Sequence, residues 1–127
     1  MNNNRHTGRV GELFAQSVLE AHDIRTSHVD IEGDDLWSKT PNGQFFKVQV
    51  KSASRAILHS SHHTIEKYNF ALHTMRQYEG IVLLVALDVK LLIAKRGELI
   101  RSKTIKLRPD AFTQEAQDAS LRECFQL

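Results

Sequence analysis

The chain has 127 residues, of which 41% are hydrophobic and 25% are charged, and its formal net charge is +2. This composition excludes a disordered or fibrous chain, and the length predicts a single domain spanning residues 1–127 because it supports one core. The mild positive charge permits a nucleic-acid partner without requiring one.

The sequence gives no sign of export or of a membrane partner. The first ten residues, MNNNRHTGRV, lack the apolar segment of a signal peptide. The longest apolar run, Ile81 to Leu87, is too short to cross a membrane. We therefore expect an intracellular (cytoplasmic) protein. Cys124 is the only cysteine, which excludes an intrachain disulfide.

The first predicted element is a helix from Thr7, a suitable N-cap residue, to about Asp23. Its apolar residues recur at helical spacing and predict one buried stripe, to which Ser17 also belongs: Val10, Leu13, Phe14, Val18 and Ala21. Glu12 lies nearly opposite this stripe, beside Leu19. It therefore belongs either to a solvated face or to a second face that is turned towards the edge of a sheet.

Strands follow the helix. Alternating and β-branched residues from Ile24 to Lys39, interrupted at Gly33, predict two strands. The sequence TPNG at residues 40–43 predicts a tight turn into a third strand from Gln44 to Ser52. These three strands are expected to form one antiparallel unit.

The second half of the chain predicts a mixture of strands and helices. KYNFAL at 67–72 indicates a short strand and HTMRQYE at 73–79 a helix, while IVLLVALDV and KLLIAK indicate two core strands joined near Asp88. Pro109 and Asp110 are residues that begin helices, so the C-terminal segment is predicted to be helical. The order of the elements predicts an α/β or α+β fold in which helices flank a mixed sheet.

The third predicted strand has two chemically different faces. Phe46, Val48 and Val50 fall on one face, and Lys47, Gln49 and Lys51 on the other. Such a polar face is usually only solvated. Here an aspartate pair on the preceding strand provides carboxylates beside Gln49 and Lys51, and hydrolysis of a phosphodiester requires oxygen ligands for Mg²⁺ and a cation.

The length of the turn decides which aspartate of that pair faces the third strand. A three-residue loop, Pro41–Gly43, places Asp35 opposite Gln49. A two-residue loop, Asn42–Gly43, pairs Asp34 with Lys51 instead, because a slip of one residue changes the face of every side chain.

The order of Glu12 in a helix, Asp35 opening a strand and VQVK on the next strand resembles the PD-(D/E)XK nucleases. The likeness is to the Q-x-K variant of small phage-type and intron-encoded homing endonucleases, and Holliday-junction resolvases have a similar layout. The resemblance implies a restriction-endonuclease-like fold, with Mg²⁺ (or Mn²⁺) held by Glu12, Asp35 and Gln49. It makes Lys51 the motif lysine, and Gln49 replaces the usual acid.

The resemblance implies cleavage of double-stranded DNA, and a homodimer or higher homo-oligomer is expected because one small domain carries one active site. Two alternatives stay open: a structure-specific junction resolvase or repair nuclease, and a catalytically inactive DNA-binding module with the same fold.

Basic and histidine-rich segments predict the DNA contacts. The loop candidates for phosphate binding are Arg55, His59, His62, His63 and Lys67. His59 and His63 also have the i,i+4 spacing of a zinc site, although no Glu or Cys stands at ligand spacing nearby. Lys103 and Lys106 lie in a basic run, 95–108, that forms either phosphate contacts or a solvated strand edge.

Overall fold

The structure is a computed structural model that describes residues 3–31, 33–58, 65–72 and 78–127. Its helices are α1, Asn3–Ala21, and α2, Gln114–Phe125, and short 3₁₀ turns occupy Gly97–Leu99 and Pro109–Ala111. The strands are β1 (Arg25–Ile31), β2 (Asp34–Lys39), β3 (Phe45–Ala53), β4 (Tyr68–Ala71), β5 (Ile81–Ala86), β6 (Leu91–Arg96) and β7 (Thr104–Leu107).

Five strands form the main sheet in the order β1-β2-β3-β5-β6. Among the described strands only the β3–β5 pair is parallel, so the sheet is mixed, and β4 and β7 form a separate antiparallel pair. The expected α+β fold with a helix-flanked mixed sheet is confirmed. Neither helix within the described ranges has the length and apolarity that a membrane crossing needs.

The two faces of the main sheet pack against different layers. One core lies between the sheet and both helices, and includes Leu19, Val48, Leu83 and Phe125. A second core lies between β4–β7 and the opposite face. Its described members come from β4, β7 and connecting segments and, on the main sheet, from β5, β6 and the end of β3, with none from β1 or β2. Strand β5 is therefore buried on both faces, which explains its uninterrupted apolar sequence.

Helix α1 differs from its predicted position in two respects. It begins at Asn3, so Thr7 lies inside the helix and is not its N-cap. Val10 and Leu13 of the predicted stripe are 42% and 51% exposed. The helix instead packs through Gly11 and its neighbours along that side, because a Cβ atom at Gly11 would collide with the side chain of Ser52 on β3. Close approach through this glycine rotates the helix away from the expected face.

Most of the predicted strands are confirmed. Helix α2 begins later than expected, at Gln114, where the Thr113 hydroxyl caps it by accepting from Ala116 N–H at 3.0 Å, and Pro109–Ala111 forms a 3₁₀ turn instead. Strand β7 was not predicted as a separate element. Most of the helix predicted at 73–79 lies outside the described residues.

Candidate active site

The register between β2 and β3 follows the three-residue loop. Lys39 pairs with Phe45 and Leu36 with Val48, and Thr40 N–H donates to Gln44 C=O at 2.9 Å. The ladder ends at Leu36–Val48. One step beyond that end, Val50 N–H donates to Oδ2 of Asp35 at 2.7 Å. A carboxylate thus accepts a backbone bond at the point where the two strands separate.

Asp34 lies in a different environment from its neighbour. The register between β1 and β2 shifts between His28 and Ile31, next to Gly33 with its positive φ of 88°. The buried Asp34 carboxylate accepts from Trp37 Nε1 at 2.9 Å and from the Tyr78 hydroxyl at 2.7 Å. Burial, together with this bond to Asp34, raises the pKa of Tyr78. Both oxygens of Asp34 are committed to structure.

Glu12 faces the sheet and not open solvent. Its side chain is 19% exposed, and its Oε1 lies 3.1 Å from His28 Nε2 on β1 and 3.5 Å from a guanidinium nitrogen of Arg9. These contacts hold the carboxylate beside the end of β2. Of the two orientations left open by the sequence, the structure has the one turned towards the sheet edge.

The electrostatics of Asp35 reflect this crowding. Burial raises the pKa of its carboxyl to about 6, and the negative charges of Glu12 and Asp30 add to the rise. The bond from Val50 N–H and the positive charge of Lys51 act in the opposite direction. Two nearby acids that raise the pKa of a buried carboxyl form a site that a cation would stabilise.

Gln49 and Lys51 project from one face of β3, two residues apart. The Gln49 Oε1 atom is buried, and no described group donates a hydrogen bond to it. A Cβ atom built on Gly33 would lie 4.0 Å from this oxygen, so the turn before β2 closes over it. A buried oxygen without a donor is suited to accept a cation or a water as its partner.

These oxygens fit a hard divalent cation in number and type. Mg²⁺ is commonly held by one or two carboxylates, with waters and phosphate oxygens completing six positions. Glu12 and Asp35 provide two carboxylates and Gln49 an uncharged oxygen. Within the described ranges, no three His, Cys, Asp or Glu side chains come together as a metal cluster, so the third oxygen here would be the amide oxygen of Gln49.

An open pocket of about 530 Å³ adjoins the lysine of this group. Lys51 and Arg55 are its cationic lining residues, and Asn69 of β4 reaches it from the second sheet. Lys106 pairs with Asn69 across the β4–β7 ladder, which brings one of the predicted phosphate contacts to the rim. None of the described residues that line the pocket is acidic.

The remaining predicted DNA contacts are scattered. Lys103 is exposed just before β7, and its carbonyl accepts from Leu72 N–H at 2.6 Å. Lys67 forms an isolated bridge with Ile57. The three histidines, His59, His62 and His63, lie outside the described residues, and so does the zinc alternative.

No protein-family model and no curated protein sequence matches this chain. Its fold is similar to that of a bacterial homing endonuclease. The solved structure of that enzyme, I-Ssp6803I, aligns with 99% of this chain and 94% of its own, with a TM-score of 0.69 and 14% sequence identity. At this level of identity the likeness is one of fold.

Sequence reasoning missed the contacts that hold the site together. His28 fixes Glu12 from β1, and Tyr78 fixes Asp34 from the segment before β5. The sequence separations are 16 and 44 residues, respectively. His28 lies on an exposed strand with ordinary alternation, so only the packing of α1 against β1 distinguishes it from a solvated residue.

Proposed function

We propose that this chain is a metal-dependent DNA endonuclease of the PD-(D/E)XK type, homing-type in its site specificity. One observation carries the proposal: where the β2–β3 ladder ends, Asp35 lies within range of the negative charge of Glu12, and the donor-free oxygen of Gln49 and the cation of Lys51 lie on the adjoining strand. The shared fold with a homing endonuclease supports it.

In this proposal the reaction is direct hydrolysis. A water oxygen forms a bond to phosphorus, the ester P–O bond breaks, and no covalent enzyme intermediate is formed. A bound Mg²⁺, or Mn²⁺ in its place, supplies Lewis-acid stabilisation of the phosphate oxygens. Glu12 and Asp35 hold that cation as carboxylates, and Gln49 adds its amide oxygen.

Lys51 has a separate role in the same step. Its ammonium group orients the attacking water and stabilises the negative charge that develops on the phosphoryl oxygens. Arg55 and Lys106, on the lining and the rim of the adjacent pocket, hold the DNA backbone through its phosphates. DNA affinity and the rate of hydrolysis therefore depend on different residues. Many phosphate contacts, including those of Arg55 and Lys106, contribute to affinity, whereas Lys51 contributes to the reaction.

Double-stranded DNA is the proposed substrate, and two or more copies of the chain act together. One protomer carries one set of these residues, so cleavage of both strands requires a second set. A homodimer or higher homo-oligomer also covers a longer recognition site than one small protomer can.

Nicking of supercoiled plasmid tests the function. We expect the wild-type protein to convert supercoiled to open-circular DNA with Mg²⁺ or Mn²⁺ and not with EDTA. Lys51→Ala should abolish nicking while its affinity for duplex DNA stays within a few-fold of wild type. Arg122→Ala, on the exposed side of α2, is the control and should nick normally. Parallel loss of affinity and nicking in Lys51→Ala would make Lys51 a binding residue.

A catalytically inactive DNA-binding module is the second candidate, and the amide at position 49 favours it. With one negative charge fewer than a site with an acid there, the cation would be held more weakly. Calorimetry with Mn²⁺ separates the two candidates. The nuclease requires that the wild-type protein bind Mn²⁺ and that Asp35→Asn abolish this binding. A protein that binds duplex DNA but neither binds Mn²⁺ nor nicks DNA would be the inactive DNA-binding module.

A further inference from the structure

On the face that β4 and β7 cover at β5 and β6, the part of the main sheet formed by β1, β2 and the start of β3 has no covering layer within the described residues. The second core takes no residue from β1 or β2, so the side chains that point to this side of the first three strands remain open. Two cross-strand rows lie here, and we call them the open sheet face: Arg25, Lys39 and Phe45 in one row, and Ser27, Trp37 and Lys47 in the next.

The open sheet face is cationic and aromatic. Neither row contains a carboxylate, and none of its three cations, Arg25, Lys39 and Lys47, forms an ion pair with a described acid. Phe45 is 55% exposed, and its ring meets that of Trp37 edge-on, with centroids 5.7 Å apart. Exposed aromatic surface among unpaired cations is typical of a surface that meets a polyanion with apolar parts.

This face continues into the proposed cleavage site. Phe45, Lys47, Gln49 and Lys51 alternate along β3 on the same side. Strand spacing makes the three strands about 10 Å wide, which suits a major groove about 12 Å across. The seven residues from Phe45 to Lys51 span about 20 Å, or roughly six base steps along one strand.

We propose that the open sheet face seats duplex DNA in its major groove, on one side of the bond that is cut. The inference rests on the proposed function and deepens it by assigning the surface that reads the flanking sequence. Lys39, Lys47 and Arg25 contact phosphates, and the Phe45 ring lies against base edges, where thymine methyl groups offer apolar contact.

Trp37 is the only tryptophan of the chain, so its fluorescence reports on this face alone. The wild-type protein is saturated with a random-sequence 30-base-pair duplex in Ca²⁺, and the anisotropy of labelled DNA shows when saturation is reached. Quenching of Trp37 fluorescence by acrylamide is then measured with and without the duplex. We expect the quenching constant to fall at least twofold on saturation. An unchanged constant at saturation would overturn the inference, as would shielding by single-stranded DNA alone.

Charge variants provide the second measurement. The double variant Lys39→Gln, Lys47→Gln should lower the salt slope of duplex binding by nearly two units, because each phosphate that a lysine neutralises adds about 0.9 to the slope. Arg122→Gln removes a cation from α2, in the layer on the other side of the sheet, and should leave the slope unchanged. Equal slopes for the double variant and wild type would also overturn the inference.

Plasmid nicking in parallel distinguishes this inference from the proposed function. If the protein binds and nicks duplex DNA but Trp37 is not shielded, the open sheet face is not the DNA-binding surface, and the proposed nuclease function is retained. A protein that binds no duplex in the anisotropy titration would contradict both.

Discussion

Strand β3 changes partner halfway along its length, and its two halves differ in what their polar residues do. From Phe45 to Val48 it pairs with β2, and from Val48 to Ala53 it pairs with β5. In the first half Lys47 is an exposed residue in a regular ladder. In the second half Lys51 lies beside a carboxylate that occupies the edge vacated by β2.

The difference between the two halves of β3 shows how a candidate active site can form at a strand edge while the packing of the core continues unbroken. The apolar alternation of Val48 and Val50 continues through both halves, so packing against the helices is uninterrupted. Only the hydrogen-bonded edge changes: β2 ends at this edge, and the carboxylate of Asp35 takes its place as the acceptor for Val50 N–H. A backbone N–H freed at a strand edge must find another acceptor, and here the acceptor is also the proposed metal ligand.

The largest expected effect is a loss of stability when the close contact between α1 and the second half of β3 is disturbed. Gly11→Ala places a methyl group against the Ser52 side chain, and overpacking of this kind costs about 1–3 kcal/mol. Thermal unfolding should therefore occur several degrees lower. Gly8→Ala is the matched control, because nothing lies within 4 Å of a Cβ there. It should stabilise the helix by about 0.5–1 kcal/mol.

A Gly11→Ala variant as stable as Gly8→Ala would show that the helix does not rest on Ser52. The position of Glu12 relative to the vacated edge would then need another explanation.

The contact between His28 and Glu12 predicts the next largest effect, which is a loss of metal affinity. Outer residues that orient a metal-binding carboxylate typically contribute 10- to 100-fold to metal affinity. His28→Ala should weaken Mn²⁺ binding in calorimetry by about that factor. His22→Ala is the control, since His22 contacts Val18 C=O and Asp118 elsewhere on the surface of the fold. Equal Mn²⁺ affinities for the two variants would remove His28 from the site.

Local patterns predicted much of the fold and the pairing at the site. The turn residues at 40–43 left a three-residue and a two-residue loop open, and the register of the three-residue loop is confirmed as far as the Leu36–Val48 pair. For α1, hydrophobic spacing correctly predicted burial of Phe14 and Val18 and wrongly predicted burial of Val10 and Leu13, because the closest packing runs through Gly11, which carries no apolar signal. Distant pairings, such as that of β7 with β4, leave no trace in a single segment.

The smallest expected effect is on stability and depends on pH. Burial raises the pKa of the Asp35 carboxyl from 3.8 to about 6 on folding, so ionisation of this group penalises folding. The penalty is absent below pH 3.8, grows between the two values and is complete above pH 6. Asp35→Asn should therefore raise the free energy of unfolding at pH 8 by about 1 kcal/mol, after allowance for solvent screening.

Urea denaturation at pH 8 and pH 4 measures this difference. Asp34→Asn provides the contrast, because its carboxylate accepts two buried donors and the amide leaves one of them unpaired, which lowers stability. If Asp35→Asn stabilises the protein as much at pH 4 as at pH 8, ionisation of the Asp35 carboxyl is not what destabilises the wild-type fold.

The most direct test of the proposed active site compares these two neighbouring aspartates in plasmid nicking with Mg²⁺. Circular dichroism first establishes that both variants are folded. We expect Asp35→Asn to lose detectable nicking, while Asp34→Asn stays within about tenfold of wild type, a cost of about 1.4 kcal/mol or less in the barrier. An active Asp35→Asn beside a folded but inactive Asp34→Asn would contradict the assignment of Asp35 as the metal-binding carboxylate.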